Sequence, residues 1–140
     1  YWWRRESTNR LQKNMPPGII LLQGHAMPVG DVWVAGTRGW RLEDNEQQVE
    51  KIMQRELVYL ERALSEIPDQ VYTIVLLHYP PFDQNLAANA FHMLAKKYRA
   101  DRIVYGHIHG GEIVEGDVDG ICYTCVSADQ VGFSPVLIKE

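Results

Sequence analysis

The chain has 140 residues, 46% hydrophobic and 23% charged, a composition that suits one globular domain and excludes a disordered or fibrous chain. A formal net charge of -4 excludes an overall basic footprint for nucleic acid, so positive charge for an anionic ligand has to come from a few placed arginines or from metal ions. No apolar run nears the ~20 residues of a membrane span and no signal-peptide core opens the chain, so the expected compartment is the cytoplasm.

Trp3, Leu11 and Met15 recur among polar neighbours, which predicts a short amphipathic helix over residues 1–14 that stops before Pro16-Pro17-Gly18. Residues 19–22 and 31–35 are rich in β-formers and bounded by Gly and Pro; they are expected as strands, with a loop or ragged strand at 24–28 between them. The clearest helix covers about 42–66, where Val49, Ile52, Met53, Leu57, Leu60 and Leu64 recur at helical spacing before Pro68.

Residues 71–77 form a continuous apolar run, the pattern of a strand buried on both faces in mid-sheet. A second helix at about 86–98 and a short strand at 102–105 complete a crossover unit. Hairpin strands are expected at 111–115, 121–126 and 135–138. Cys122 and Cys125 lie three apart in one of these strands and point to opposite faces, which argues against a redox pair or half of a zinc site.

Two motifs stand just past the ends of predicted buried strands, where layered α/β proteins collect their ligands: Leu77-His78-Tyr79-Pro80-Pro81 and Tyr105-Gly106-His107-Ile108-His109-Gly110. In an extended segment His107 and His109 project to one side, so both imidazoles can serve one metal centre, and Gly106 and Gly110 let the backbone turn around them. Such a pair alone is weak evidence. His78 strengthens it, because Pro80 and Pro81 fix the chain as it leaves the strand, although a core histidine bonded to a backbone carbonyl is the plainer reading of His78 by itself.

His78-Tyr79-Pro80-Pro81 followed by Gly106-His107-Ile108-His109 resembles the last two motifs of the calcineurin-like (binuclear) metallophosphoesterase superfamily, in the same order and with a helix and strand between. Gly36-Thr37-Arg38-Gly39-Trp40 and the long helix after it further resemble a bacterial subgroup of predicted phosphohydrolases. The resemblance implies a layered α/β fold, a β-sandwich flanked by helices, with His78 and His107 on one metal and His109 on the other. It also implies two divalent ions (Mn, Fe or Zn) that hydrolyse a phosphate ester.

The family's earlier motifs, Asp-x-His, Gly-Asp-x-x-Asp and Gly-Asn-His-Asp/Glu, do not occur in this sequence. Tyr1-Trp2-Trp3 is similar to the stretch after the last of them. The expectation is therefore that residues 1–140 are the C-terminal portion of one metallophosphoesterase domain, N-terminally incomplete, with the leaving-group histidine upstream of Tyr1. Such a chain binds at most one ion weakly and is inactive alone. The alternative is a non-catalytic interaction domain with a single structural or regulatory metal, or none.

Arg38 has two readings of equal weight, a bidentate donor to a substrate phosphate and a turn arginine paired with the acidic helix that follows. Trp40 reads as a packing residue and Tyr79 as a possible border of the cleft. His25 in a loop and His92 on an exposed helix face read as solvated, and Asp129 as a turn former.

Overall fold

A computed structural model describes residues 7–40 and 46–139, in which one mixed α/β sheet of six strands is joined by three helices. The elements are α1 (Thr8–Lys13), β1 (Ala26–Val29), β2 (Val32–Thr37), α2 (Glu46–Ser65), β3 (Tyr72–Leu77), α3 (Ala90–Lys97), β4 (Arg102–Tyr105), β5 (Gly116–Val118) and β6 (Ile121–Cys125). Strand order is β1-β2-β3-β4-β6-β5; β2, β3, β4 and β6 run parallel, and β1 and β5 close the two flanks antiparallel.

Residues of one parity carry the main core. Ala35, Val75, Leu77, Ile103, Tyr105, Ile121, Tyr123 and Cys125 face Leu60, Ala63 and Leu64 of α2 and Phe91 and Ala95 of α3. Each such apolar side chain contributes about 1.5–3 kcal/mol on full burial, so this face dominates stability. The opposite face holds a smaller cluster of Val32, Ile74 and Val104, backed by Val34, Tyr72 and Ile138. Leu76 and Val126 on that face are each 37% exposed, so β3 is not buried on both sides as its apolar run predicts.

Within the described residues there is one sheet, where the resemblance implies the two sheets of a sandwich. The predicted strand at 19–22 does not form. The side chain of Gln12 takes the place of a neighbouring strand, donating Nε2–H to Ile19 O at 2.7 Å and accepting from Leu21 N at 2.8 Å. The stretch at 111–115 stays outside the ladder because Val114 exchanges hydrogen bonds with the Tyr105 hydroxyl at 2.7 and 3.0 Å. Residues 135–138 carry Ile138 onto the smaller cluster without pairing.

Helix α3 starts at Ala90 rather than near residue 86, because Asp83 first folds a turn, its Oδ1 accepting from Asn85 N and Ala87 N, and Asn89 then caps the helix by accepting from Phe91 N. Trp3 and residue 42, which open the two predicted helices, lie outside the described residues. Cys122 and Cys125 are unpaired, the first half-buried on the smaller-cluster face and the second buried in the main core. Among the described residues no helix is long and apolar enough to cross a membrane.

Candidate metal centre at the carboxyl edge of the sheet

Four parallel neighbours bring their carboxyl ends to one edge, and the chain leaves them as Arg38, His78, Gly106 and Val126. Backbone hydrogen bonds carry the ladder past the strands. His78 N and Tyr79 N both donate to Arg38 O, at 3.1 and 3.0 Å, Gly106 N donates to His78 O at 3.3 Å, and Val126 N donates to Tyr105 O at 2.7 Å. The loops bearing the two histidine motifs are therefore tied to each other before any side chain is considered. Close approach beneath them requires Gly36, where a Cβ would lie 3.0 Å from Leu76 O.

His78 Nε2 and His107 Nδ1 are 3.0 Å apart, and the two rings meet edge to face at 4.7 Å. The Tyr79 ring lies against His107 with centroids 4.2 Å apart. His109 sits further out, its ring 6.3 Å from that of His107, with Nδ1 3.2 Å from Asp129 Oδ1. The sharp turn occurs at His107 itself, whose φ of 73° lies in the left-handed region, rather than at Gly106; Gly110 turns as expected, with φ 73°. A non-glycine residue held there carries strain of about 1–2 kcal/mol, as do Gln70, Leu86, Arg99, Asp119 and Phe133 elsewhere in the chain.

His78 is open to solvent on one side, and its imidazole is nevertheless held below the ordinary value of 6.5, first by partial desolvation and then by the neighbouring charges of His107, Arg38 and His109. That shift favours the neutral form, the form that ligates metals. Asp129 is held below the ordinary carboxylate range by hydrogen bonds from the backbone and by His109, against an opposing desolvation that is the largest single influence.

A first-row ion with nitrogen ligands at about 2.0–2.1 Å keeps neighbouring ligand nitrogens roughly 3.0–3.4 Å apart. The His78–His107 spacing of 3.0 Å lies in that range, and it is equally the spacing of a hydrogen bond between the two rings. The His109–Asp129 contact has the form of a carboxylate orienting an imidazole through one nitrogen, which leaves the other for a metal. Among the described residues, however, no group of three or more His, Cys, Asp or Glu side chains is arranged to hold an ion.

Both readings of Arg38 find a basis in its surroundings. Its Nη2 lies 3.6 Å from Oε1 of Glu56 on α2, a fully buried carboxylate that also accepts from the Thr37 hydroxyl and from Arg55. The guanidinium, 4.4 Å from the Trp40 ring centroid, keeps 43% of its side-chain surface exposed at the edge where His78 feels its charge. Trp40 packs against the main core and against the Tyr79 ring at 5.0 Å, in agreement with its reading as a packing residue.

Two positions differ from expectation or exceed it. His92 is fully buried, not on an exposed face: the Phe91-His92-Ala95 stripe of α3 packs inward, and His92 Nδ1 is 2.7 Å from the Tyr123 hydroxyl. Asp129 does form a turn, accepting from Gly132 N at 3.3 Å, and in addition faces His109. His25 is half-exposed and 3.4 Å from Glu66. Glu56 is the residue that sequence reasoning missed; its only signal is a carboxylate on the inward side of the helical apolar stripe.

Comparison with family models, with curated proteins and with solved structures gives no match.

Proposed function

We propose that the chain contributes His78, His107 and His109 to a two-metal centre that hydrolyses a phosphate ester, the remaining ligands coming from polypeptide beyond these 140 residues. The observation that carries this reading is the His78–His107 contact of 3.0 Å between two imidazoles on adjacent parallel strand ends, with His109 and Asp129 beside it. The cytoplasm is the setting expected for a chain of this composition.

In this reading His78 and His107 hold one ion and His109 the other, with Mn, Fe or Zn suited to mixed imidazole and carboxylate donors. Bound metal supplies polarisation of the phosphoryl oxygens and a water of lowered pKa. Arg38 offers a fixed positive charge to the non-bridging oxygens, steadied by Glu56 on one side and Trp40 on the other. Tyr79 covers one side of the His107 ring. The half-covered face that exposes Leu76 and Val126 has room for the missing layer, since parallel sheets are covered on both sides.

A second reading is a non-catalytic interaction domain with a single structural or regulatory ion, or none. Titration of Mn²⁺ into the purified chain, with His107→Ala alongside, separates the two. Weak binding of at most one ion, abolished in the variant, is expected of a half-site. Tight binding of a single ion, or no binding at all, supports the second reading, and binding indifferent to His107 overturns the first.

A further inference from the structure

A cleft of about 260 Å³ opens between α2 and the loop that follows β3, next to the histidines but not part of them. Trp40 and Met53 supply its apolar surface above the buried Phe82, and Asp83, Gln84, Asn85 and Asn89 its polar rim. Its distance from the proposed reaction centre is one aromatic ring: Trp40 touches Tyr79 at 5.0 Å, and Tyr79 touches His107 at 4.2 Å. The Arg38 guanidinium lies 4.4 Å from the Trp40 ring, and its charge is felt by His78.

The polar groups of the rim are unequal. Asn89 is committed, its Oδ1 to Phe91 N at 2.9 Å and its Nδ2 to Pro80 O at 3.3 Å. Asp83 commits only Oδ1, to Asn85 N at 2.8 Å and Ala87 N at 3.0 Å, which leaves Oδ2 without a partner among the described residues. The Gln84 carboxamide likewise has none. The cleft therefore offers an apolar, partly aromatic surface, one anionic acceptor held in a fixed turn, and two adaptable amides, those of Gln84 and Asn85. Its volume falls below the roughly 300–1,000 Å³ of a drug-sized site, so it takes a ring system rather than a whole nucleotide.

We infer that this cleft seats an amino-bearing planar heteroaromatic ring, the base of a nucleoside phosphate ester whose phosphate lies toward Arg38 and the histidines. Stacking or edge contact with apolar and aromatic side chains, plus hydrogen bonds to the ring edge, is the general chemistry of base recognition. The carboxylate selects for an N–H donor, because an acceptor placed against Asp83 Oδ2 leaves two lone-pair groups opposed. The placement of the phosphate rests on the function proposed above; binding of the ring does not.

The test is binding of adenosine and of purine riboside, which lacks the amino group, to the metal-free chain by isothermal titration. Adenosine is expected to bind at least tenfold tighter than purine riboside. Asp83→Asn retains an oxygen for the two backbone N–H groups, so its thermal melt should match the parent, and it should remove that preference. Trp40→Ala should weaken both ligands. Failure of adenosine to bind, or a preference unchanged in Asp83→Asn, overturns the inference. Adenosine binding without histidine-dependent Mn²⁺ binding overturns the two-metal reading and leaves the cleft assignment standing; the converse result does the reverse.

Discussion

His78 Nε2 and His107 Nδ1 lie 3.0 Å apart, a contact in which one imidazole has to donate and the other accept. Two protonated rings cannot keep this contact, because both facing nitrogens would then be donors and both rings cations. Protonation of His78 is accordingly opposed, and its pKa is lowered first by partial desolvation and then by the charges of His107, Arg38 and His109.

The pH dependence follows from the direction of the His78 shift. Its folded pKa lies below the unfolded value, so the folded state binds fewer protons in the interval between them and stability rises with pH across it. The contribution is complete above about pH 6.5 and is lost as pH falls below that value. Thermal melts at pH 7.5 and 5.5 should show a smaller drop for His78→Gln than for the parent. An equal drop in both would mean that His78 is not the group responsible.

Replacing His107 by glycine separates strain from ligation. The left-handed conformation at φ 73° costs an L-residue about 1–2 kcal/mol, and glycine gives back about 0.5–1 kcal/mol through its greater freedom when unfolded. His107→Gly is therefore expected to be neutral or more stable by up to about 1 kcal/mol, while Mn²⁺ binding is lost. His107→Val, β-branched in the same conformation, should be less stable than either. Calorimetry decides; a glycine variant clearly less stable than the parent would show that the ring contacts outweigh the backbone strain.

Glu56 should behave as a structural carboxylate under Arg38. Glu56→Leu leaves the buried Thr37 hydroxyl without its acceptor, an expected loss of about 2–3 kcal/mol in urea denaturation; Arg38 and Arg55, both partly exposed, can rehydrate. Adding Thr37→Val to that variant removes the stranded hydroxyl and should recover about 1 kcal/mol. If the double variant is no better than the single, the hydroxyl is not what Glu56 is buried for.

Amide hydrogen exchange reads the lacing of the site loops. His78 N, Tyr79 N and Gly106 N donate to backbone carbonyls across the strand ends, so their protection should approach that of β3. Gly110 and Gly111, exposed and in left-handed conformations, should exchange quickly. Fast exchange at His78 and Gly106 would show that the motifs are not held in place without a ligand.

Much of this architecture is legible in the sequence where one local signal dominates. The strand at 102–105 forms over those residues because its apolar run is bounded by Asp101 and Gly106, and the run before His78 forms β3 almost as predicted. The prediction fails where side chains replace backbone partners, as Gln12 does for residues 19–22 and the Tyr105 hydroxyl does for Val114. Periodicity over one short helix does not say which side faces in. His92 shares its inward stripe with Phe91 and Ala95, and its hydroxyl partner lies 31 residues away on β6.

At the site, the three histidines are found at one sheet edge as the motifs imply, but their mutual geometry is not that of an extended pair. The left-handed turn at His107 swings its ring onto His78 and away from His109, and no residue-type pattern announces a positive φ at a histidine. Asp129 joins the edge only because β6 runs parallel to β4, whereas its hairpin with β5 is the more visible signal in the sequence.

Each flank of the sheet resists extension in a different way. On one side β1 carries Pro28, which has no N–H to offer a further strand, and on the other β5 is only three residues long. Growth by strand addition is thereby discouraged in both directions. The exposed apolar surface of Leu76 and Val126 lies on the broad face of the sheet, so a contact made there would be one of stacking and not of zippering.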